Sequence, residues 1–362
     1  MSATLYDIAD RWKFHPLAIV TPSDFTLANP RPVDLATIAN DPGYSLYCLD
    51  LGNASAVWVH TGPEVDVSKG SFFYSGQFQQ ADGVAITSIE ELEEIVAGID
   101  LAASKLTVIH SVGRCGSTLI NRVYASQPQL FSLSEPDTFT QICLALGSNR
   151  ISTGQAIRLL TSCLKAAIRP LPGNSRRDNV AIKLRSQCIT LASHIVAAAP
   201  HTRNIYITRD PASWIRSAYR AFVPPEKAED REFQQIFEDS FASFIPIVEQ
   251  ERSPDGPMCL AKVWMLNWIH NTLSYRDVLA KGIPFLTLDY ADLKRDPRTA
   301  IESIFRFSGV YDTHWPAVDA TLTQDSQSDS PLARETVKDN VIPADKFDTA
   351  MATLKRYLPE YA

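Results

Sequence analysis

The residues best suited to chemistry lie in a short glycine-containing stretch, Thr107–Leu119. A β-branched apolar run enters it, Gly113 and Gly116 interrupt the run, and a helical pattern begins at Ser117. This order predicts a buried strand, a tight loop and a helix N-terminus. The backbone N–H groups of such a loop converge, and the helix dipole adds partial positive charge. The stretch therefore predicts an anion-binding loop, with an ordinary turn between a strand and a helix as the alternative.

This loop differs from the loop of nucleoside triphosphatases. Their loop ends in Gly-Lys-Ser or Gly-Lys-Thr, whose lysine contacts the outer phosphates and whose hydroxyl binds magnesium. Here Ser117 follows Gly116 directly, and the cation is Arg114 inside the turn. An arginine can bind two oxygens of an oxyanion through its planar guanidinium. The sequence therefore favours an oxyanion held without a metal.

Further candidate residues follow other apolar runs. Lys183 lies at the end of Val180–Leu184, where it either meets an anion or extends to solvent. Arg209 follows another run, and Ser217 lies two helical turns further on, so this pair could hold a second anion or could be an ordinary surface pair. Glu135 follows an apolar–polar alternation that predicts a short strand. A carboxylate beside an anion site suits a general base, with a solvated turn as the alternative.

These residues need a scaffold that brings the ends of several strands together. From about residue 101, strand patterns alternate with helix patterns, which is typical of an α/β fold with a parallel sheet flanked by helices. Ligands bind beyond the carboxyl ends of such strands. The predicted strands are Lys105–His110, Val180–Leu184, Asn204–Thr208 and Pro284–Asp289. The predicted helices are Ser117–Ser126, Thr138–Leu146, Thr153–Arg169, Thr190–Ala199, Pro211–Ala221, Ala261–Ala280 and Arg298–Ser308.

The N-terminal part of the chain has a different pattern. We expect a small α+β domain over residues 1–100 and the α/β domain over residues 101–362. The predicted strands of the first domain are Tyr44–Leu51, Ala54–His60 and Gly70–Ser75, with a hairpin joining the first two. A helix is predicted after Ser88, because Ser88 and Glu91 have the spacing of a capping box. This domain could cover the substrate side, form a dimer surface or extend the structure.

Composition limits the function classes. The net charge of −7 argues against nucleic acid or polyanionic glycans as partners, and the 45% hydrophobic fraction is ordinary for a globular protein. The six cysteines lack CxxC spacing and the seven histidines lack HxxxH spacing, which argues against a metal site and favours reduced thiols. The sequence has no signal-peptide pattern and no apolar run of membrane length. We expect a cytoplasmic protein without a membrane partner, and the sequence leaves open whether it forms an oligomer.

Three motifs of the chain together resemble those of the PAPS-dependent sulfotransferases. Gly113–Leu119 resembles the 5′-phosphosulfate loop of that family. Arg209 and Ser217 resemble its 3′-phosphate-binding pair, and Leu288–Val310 resembles its "YEDL…P…FLG" segment. The motifs occur in the family's order over roughly residues 105–312.

The resemblance implies a P-loop sulfotransferase fold. It also implies 3′-phosphoadenylyl sulfate (PAPS) as co-substrate, adenosine 3′,5′-bisphosphate (PAP) as product, and no metal. The implied cofactor-binding residues are Gly113, Arg114, Cys115, Gly116, Ser117, Thr118, Arg209 and Ser217. Asp325–Arg334 lies where the family closes a loop over the cofactor, so Ser326, Ser330 or Arg334 is expected to contact it.

The candidate base is similar to that of the tyrosylprotein branch of the family. Glu135 stands where that branch has its catalytic glutamate, and Lys183 where it has a catalytic lysine. The histidine base of the cytosolic branch has no counterpart, because position 185 is arginine. The resemblance implies in-line transfer to a hydroxyl or amine of a small-molecule acceptor, with Lys183 and Arg114 stabilising the leaving oxygen. The alternatives are a nucleotide-dependent kinase or phosphotransferase, and a non-catalytic nucleotide-binding member of the fold.

Overall fold

The structure, a computed structural model, describes residues 3–172, 178–337 and 340–361. These residues contain two five-stranded sheets. The strands of the first sheet are β1 (Ala3–Arg11), β2 (Phe25–Val33), β3 (Tyr44–Asp50), β4 (Ser55–His60) and β5 (Gly83–Ser88). The strands of the second sheet are β6 (Lys105–Ser111), β7 (Phe131–Ser134), β8 (Asn179–Lys183), β9 (Arg203–Thr208) and β10 (Phe285–Asp289).

The second sheet is parallel and confirms the predicted α/β class. Its strand order is β10-β9-β6-β8-β7, and each neighbouring pair runs parallel. From β6 the chain passes to the edge strand β7, returns to β8 beside β6, and then crosses to β9 on the other side of β6. The strand order therefore reverses at β6. Crevices for ligands form beyond the carboxyl end of the strand at such a reversal.

Helices flank this sheet, and their bounds agree closely with those predicted from the sequence. The predicted helices from Ser117 onwards begin and end within about two residues of the observed ones. Most of them carry an apolar stripe or recognisable ends, whereas the helix Leu260–Ala280 buries successive residues such as Met265 to Ile269. The N-terminal helices are α1 (Leu35–Asn40), α2 (Phe73–Gln80) and α3 (Ile89–Ile95). The others are α4 (Ser117–Ala125), α5 (Asp137–Gly147), α6 (Thr153–Ala167), α7 (Ala192–Ala198), α8 (Pro211–Phe222), α9 (Arg231–Ala242), α10 (Pro246–Gln250), α11 (Leu260–Ala280), α12 (Tyr290–Arg295), α13 (Pro297–Ser308), α14 (Trp315–Thr323) and α15 (Ala344–Tyr357).

The first sheet is antiparallel, with the order β2-β1-β5-β4-β3. The predicted hairpin is the pairing of β3 with β4, and Ser88 and Glu91 form the predicted capping box. The predicted strand at Gly70–Ser75 is wrong, because its aromatic run opens helix α2 and buries one helical face that includes Gln77. Strand β2 was missed because it contains two prolines. It lies at the sheet edge, where proline costs no ladder hydrogen bond.

The hydrophobic core connects the two sheets. One buried cluster contains Trp58 of the first sheet together with Val108 and Phe131 of the second. Another cluster packs helix α11 against the second sheet and includes the buried Trp268. The division at residue 100 stays a prediction, since the buried side chains of both parts pack into one cluster.

A partly buried acidic residue anchors helix α15 to the rest of the molecule. Glu251 accepts hydrogen bonds from Tyr357 Oη at 2.7 Å and from Arg356 Nη2 at 2.6 Å, and Lys262 Nζ lies 2.9 Å away. Burial alone would raise the pKa of Glu251, but these three groups lower it to about 2. Among the described residues, no helix has the length and apolarity needed to span a membrane.

Candidate active site

The glycine loop follows the carboxyl end of β6 and leads into helix α4. Gly113, Arg114 and Gly116 have φ values of +75°, +50° and +81°, so the chain turns through the left-handed region three times. Such a conformation is routine for glycine and uncommon for arginine. The indole N–H of Trp214 donates to Gly113 O at 2.8 Å, and Gly113 N donates to Ser111 Oγ at 3.2 Å. The loop is therefore held from both sides by hydrogen bonds.

Close packing explains the glycine at position 116. A Cβ atom at Gly116 would lie 3.0 Å from Leu293 Cδ2 and 3.3 Å from Tyr290 Cε2. The segment that contains Tyr290 and Leu293 is thus packed directly on the loop. On the other side, Cys115 is fully buried and its Sγ donates to Ile207 O at 3.4 Å.

Two arginines meet at this loop. Arg114 donates from Nε to Ser217 Oγ at 3.4 Å and from Nη1 to Gln327 Oε1 at 2.9 Å. Arg209 donates from Nη1 to Arg114 O at 2.6 Å and from Nε to Ser213 Oγ at 3.2 Å. In the described part of the chain, these hydrogen-bond partners are all neutral groups. Burial lowers the pKa of both arginines, and the charge of Arg209 lowers the pKa of Arg114 further. The loop therefore concentrates positive charge that a bound anion would neutralise.

Glu135 and Lys183 form a buried ion pair beyond the ends of β7 and β8. Lys183 Nζ contacts Glu135 Oε1, and their side chains are 5% and 12% exposed. Glu135 N also donates to Lys183 O at 2.6 Å. Glu135 has a φ of +57°, a strained conformation that is often found at functional sites. Burial alone would raise the pKa of Glu135, but Lys183 and Arg185 outweigh it and lower the pKa below its usual value.

The neighbouring Asp137 differs from Glu135 in its hydrogen bonding. Its side chain is fully buried, and Arg185 contacts both of its oxygens at 2.6 and 2.9 Å. Val20 N donates to Oδ2 at 3.1 Å, and Thr140 Oγ1 donates to Oδ1 at 3.2 Å. Asp137 is therefore saturated with donors. Among the described residues, the charged partner of Glu135 Oε2 is Arg185 at 3.7 Å, so Glu135 is the carboxylate of this turn with capacity for a further proton.

The N-terminal residues contact this acid–base group. The sequence left a cover on the substrate side as one of three possible roles for them, but it did not indicate these contacts. Lys183 Nζ lies 5.5 Å from the ring centroid of Phe72, and the guanidinium of Arg185 lies 4.6 Å from that of Tyr74. Arg185 Nη1 also donates to Leu17 O at 3.0 Å. The sequence offers only the aromatic run before Ser75 as a signal, and that run is typical of a core.

The segment Asp325–Arg334 lies beside the loop and helix α4. Arg122 Nε donates to Ser326 O at 2.8 Å, and Gln327 contacts Arg114 as described above. Ser330 Oγ donates to Gln327 O at 2.9 Å within the segment, whereas Arg334 is exposed. The predicted contacts of Ser326, Ser330 and Arg334 with a cofactor stay predictions. Gln327 is an additional residue at the loop that the sequence did not single out.

The predicted site residues thus lie in two adjoining groups around the carboxyl end of β6. The loop residues and Ser217 surround the arginine pair, and Ser117 and Thr118 open helix α4 as buried residues. Glu135 and Lys183 form the second group beside them. The structure contains no cluster of three or more histidine, cysteine, aspartate or glutamate side chains able to hold a metal ion among the residues it describes.

A glycine turn with two arginines at the reversal point of a parallel sheet, with a buried glutamate–lysine pair beside it, is typical of α/β proteins that act on anionic ligands. Within this class, the sequence profile of the sulfotransferase domain matches residues 105–348. The chain therefore belongs to the sulfotransferase domain family. A search of curated protein sequences gave no match.

Solved sulfotransferase structures also resemble the chain. Sulfotransferase STF1 from Mycobacterium tuberculosis is 12% identical, with 72% of this chain and 78% of that chain covered and a TM-score of 0.42. Mouse sulfotransferase SULT7A1, complexed with PAP, is 14% identical, with 76% and 92% covered and a TM-score of 0.38. The sulfotransferase domain from the curacin biosynthetic pathway is 14% identical, with 70% and 97% covered and a TM-score of 0.37. The family assignment depends on the profile match.

Proposed function

We propose that the protein transfers the sulfuryl group of PAPS to a hydroxyl or amine of a small-molecule acceptor. The observation that carries this proposal is the pair of partly buried arginines, Arg114 and Arg209, whose hydrogen-bond partners are neutral. PAPS carries a 5′-phosphosulfate and a 3′-phosphate, so two separate anionic groups need cations. Membership of the sulfotransferase domain family supports this donor over a nucleoside triphosphate.

The loop and its neighbours would hold the donor. The backbone N–H groups from Gly113 to Thr118 and the hydroxyls of Ser117 and Thr118 would bind the 5′-phosphosulfate at the N-terminus of helix α4. Arg209 and Ser217 would bind the 3′-phosphate and so fix the direction of the sulfuryl group. The hydrogen bond from Arg114 Nε to Ser217 Oγ supports this arrangement, because it connects the cation of the loop with a residue of the proposed 3′-phosphate site.

The acid–base pair would carry the transfer itself. A lone pair of the acceptor oxygen or nitrogen attacks the sulfur, and the bond from sulfur to the bridging oxygen breaks. The electron pair of that bond remains on the 5′-phosphate of PAP. Glu135 takes the acceptor proton, and Lys183 and Arg114 stabilise the charge that develops on the leaving oxygen. Lys183 would have to leave Glu135 to do so, which would free the carboxylate to act as base.

The same proposal includes a cytoplasmic location. The six cysteines are free, and all but Cys259 are buried, which suits a reducing compartment. It also retains the division into residues 1–100 and 101–362, with the first part acting as a cover on the acceptor side. Phe72 and Tyr74, which lie against Lys183 and Arg185, support that role.

Calorimetric titration with PAP in the absence of metal tests the donor site. We expect micromolar or tighter binding in the wild type and about 10- to 100-fold weaker binding in Arg209→Ala, because a hydrogen bond to a charged group contributes roughly 1.5–3 kcal/mol. Arg216→Ala is the matched control, since Arg216 lies on helix α8, which begins two residues after Arg209, is exposed and stacks on Phe347 at 3.9 Å. Clear binding of ATP with magnesium and none of PAP would reject the proposal in favour of a kinase.

A further inference from the structure

We propose that Arg185 is a positioning residue for Glu135, held in place by the connection between β1 and β2 (residues 12–24). This inference rests on the proposed function, in which Glu135 is the base. It gives the N-terminal part of the chain a role in the reaction, because Leu17 and Val20 belong to that connection.

The guanidinium of Arg185 is held on all sides. Nε and Nη2 form a bidentate pair with Asp137 at 2.6 and 2.9 Å, and Nη1 donates to Leu17 O at 3.0 Å. The ring of Tyr74 covers the guanidinium at 4.6 Å. Although burial alone would lower the pKa of Arg185, Asp137 and its other neighbours raise it, so this residue stays charged. Arg185 therefore offers a fixed positive charge in a buried place.

Glu135 lies between this fixed cation and the mobile cation Lys183. A lysine ammonium sits on a flexible stem, whereas a bidentate guanidinium has one geometry. When Lys183 turns to the leaving oxygen of the donor, Arg185 is the cation that stays beside Glu135, with Nε 3.7 Å from Oε2. It would keep the carboxylate ionised and oriented at the moment when the acceptor loses its proton.

The β1–β2 connection completes the support of Arg185. Val20 N donates to Asp137 Oδ2 at 3.1 Å, so the connection contacts both members of the bidentate pair. Asp137 cannot turn towards Glu135 without breaking these bonds. The arrangement links the position of the N-terminal residues to the position of the base.

The charged and titratable groups around Glu135 come from several elements. Lys183 and Arg185 follow from β8, Asp137 from α5 and Tyr74 from α2. Lys13, from the β1–β2 connection, acts on Asp137 and Arg185, and its partner Asp24 lies 3.3 Å away. The charges of Lys13 and Asp24 offset each other. Lys183 and Arg185 lower the pKa of Glu135, whereas the carboxylates of Asp137 and Glu135 repel each other.

The test uses the double variant Arg185→Met/Asp137→Asn, which removes both charges of the buried pair and leaves no unpaired ion. The carboxyl carbon of Glu135 is titrated by NMR in 13C-glutamate-labelled protein, with Glu135→Gln assigning the signal. The midpoint is compared with that of Asp137→Asn, which lacks the same negative charge but keeps Arg185. Because the two variants differ only in the positive charge of Arg185, we expect the higher midpoint in the double variant. The acid limb of the pH profile of kcat/KM should move to higher pH by the same amount, while PAP affinity stays within about twofold.

Two further variants complete the experiment. Arg185→Lys keeps the charge but loses the bidentate geometry, so we expect a smaller rise of the midpoint together with a lower kcat. It also carries the test if the double variant fails to fold. Arg158→Met/Glu93→Gln removes an exposed ion pair of 2.8 Å and should change neither quantity.

The outcomes separate this inference from the proposed function. A midpoint and an acid limb that are the same in the folded double variant and in Asp137→Asn would overturn the role of Arg185. If the double variant does not fold, an unchanged midpoint and kcat in Arg185→Lys would overturn it. Failure of the wild type to bind PAP would instead overturn the donor assignment, and the NMR titration needs neither PAPS nor an acceptor.

Discussion

Replacing Lys183 by alanine should reduce turnover strongly while leaving donor affinity nearly intact. Its ammonium contacts Glu135, and its side chain is only 5% exposed, so it acts in a place with little water. Removing one pre-organised group that stabilises developing charge costs about 3–4 kcal/mol, or roughly 100- to 1,000-fold in kcat. The anchors proposed for PAP, the loop and Arg209, stay in place. We therefore expect PAP affinity to change by less than about threefold.

The same substitution also changes the base. Without Lys183, Glu135 keeps only Arg185 at 3.7 Å, and burial would then raise the pKa of Glu135. A group that must be deprotonated loses activity as pH falls through its pKa, so the acid limb should move to higher pH. Turnover of radiolabelled PAPS is therefore compared on the pH plateau that lies above the acid limbs of both wild type and variant. Lys183→Met, which keeps an apolar contact with Phe72, controls for packing.

Two results would refute this reasoning about Lys183. A plateau kcat within about twofold of the wild type in both variants would remove Lys183 from the chemical step. A loss of PAP affinity as large as the loss of kcat would place Lys183 in donor binding instead, because only interactions specific to the transition state change kcat without changing affinity. Equal melting temperatures of wild type and variants are the necessary control.

Two more predictions concern the supports of the site and of the fold. Trp214→Phe removes the N–H donor to Gly113 O, which should lower stability by about 1–3 kcal/mol and weaken PAP binding severalfold; unchanged melting and calorimetry would contradict the anchoring role. Glu251→Gln removes a carboxylate whose pKa is lowered to about 2 when folded. Its contribution, on the order of 1 kcal/mol after solvent screening, is present near neutral pH and disappears as pH falls from about 4.5 towards 2. Melting curves of variant and wild type should therefore converge in acid, and a constant offset would contradict this.

The parallel sheet and its loop could be predicted because short stretches of neighbouring residues indicate them. The run before Gly113 is apolar and β-branched, and the two glycines mark the turn that follows it. The pair Asp210 and Pro211 marks the start of helix α8, where the side chain of Asp210 accepts a hydrogen bond from Ser213 N. Glu135 likewise follows a short strand, as its apolar–polar alternation indicates.

The rest of the site depends on contacts between distant parts of the chain. Nothing near Arg185 in the sequence indicates that Leu17 and Tyr74 enclose its guanidinium. Gln327 reaches Arg114 across more than two hundred residues, and a glutamine in a polar segment carries no periodic signal. The sequence predicts a strand that includes Phe72, whereas the structure has helix α2 from Phe73. A window of a few apolar residues does not distinguish a strand from a helix.

The two sides of the proposed site come from different parts of the chain. The loop, Arg209, Glu135 and Lys183 all lie within residues 105–348, which match the sulfotransferase domain. Phe72 and Tyr74, which lie over Lys183 and Arg185, are outside that range. The proposed donor side thus belongs to the part shared with the family, whereas Phe72 and Tyr74 on the opposite side lie outside the family profile. We therefore expect changes in the N-terminal residues to alter acceptor KM rather than PAP affinity.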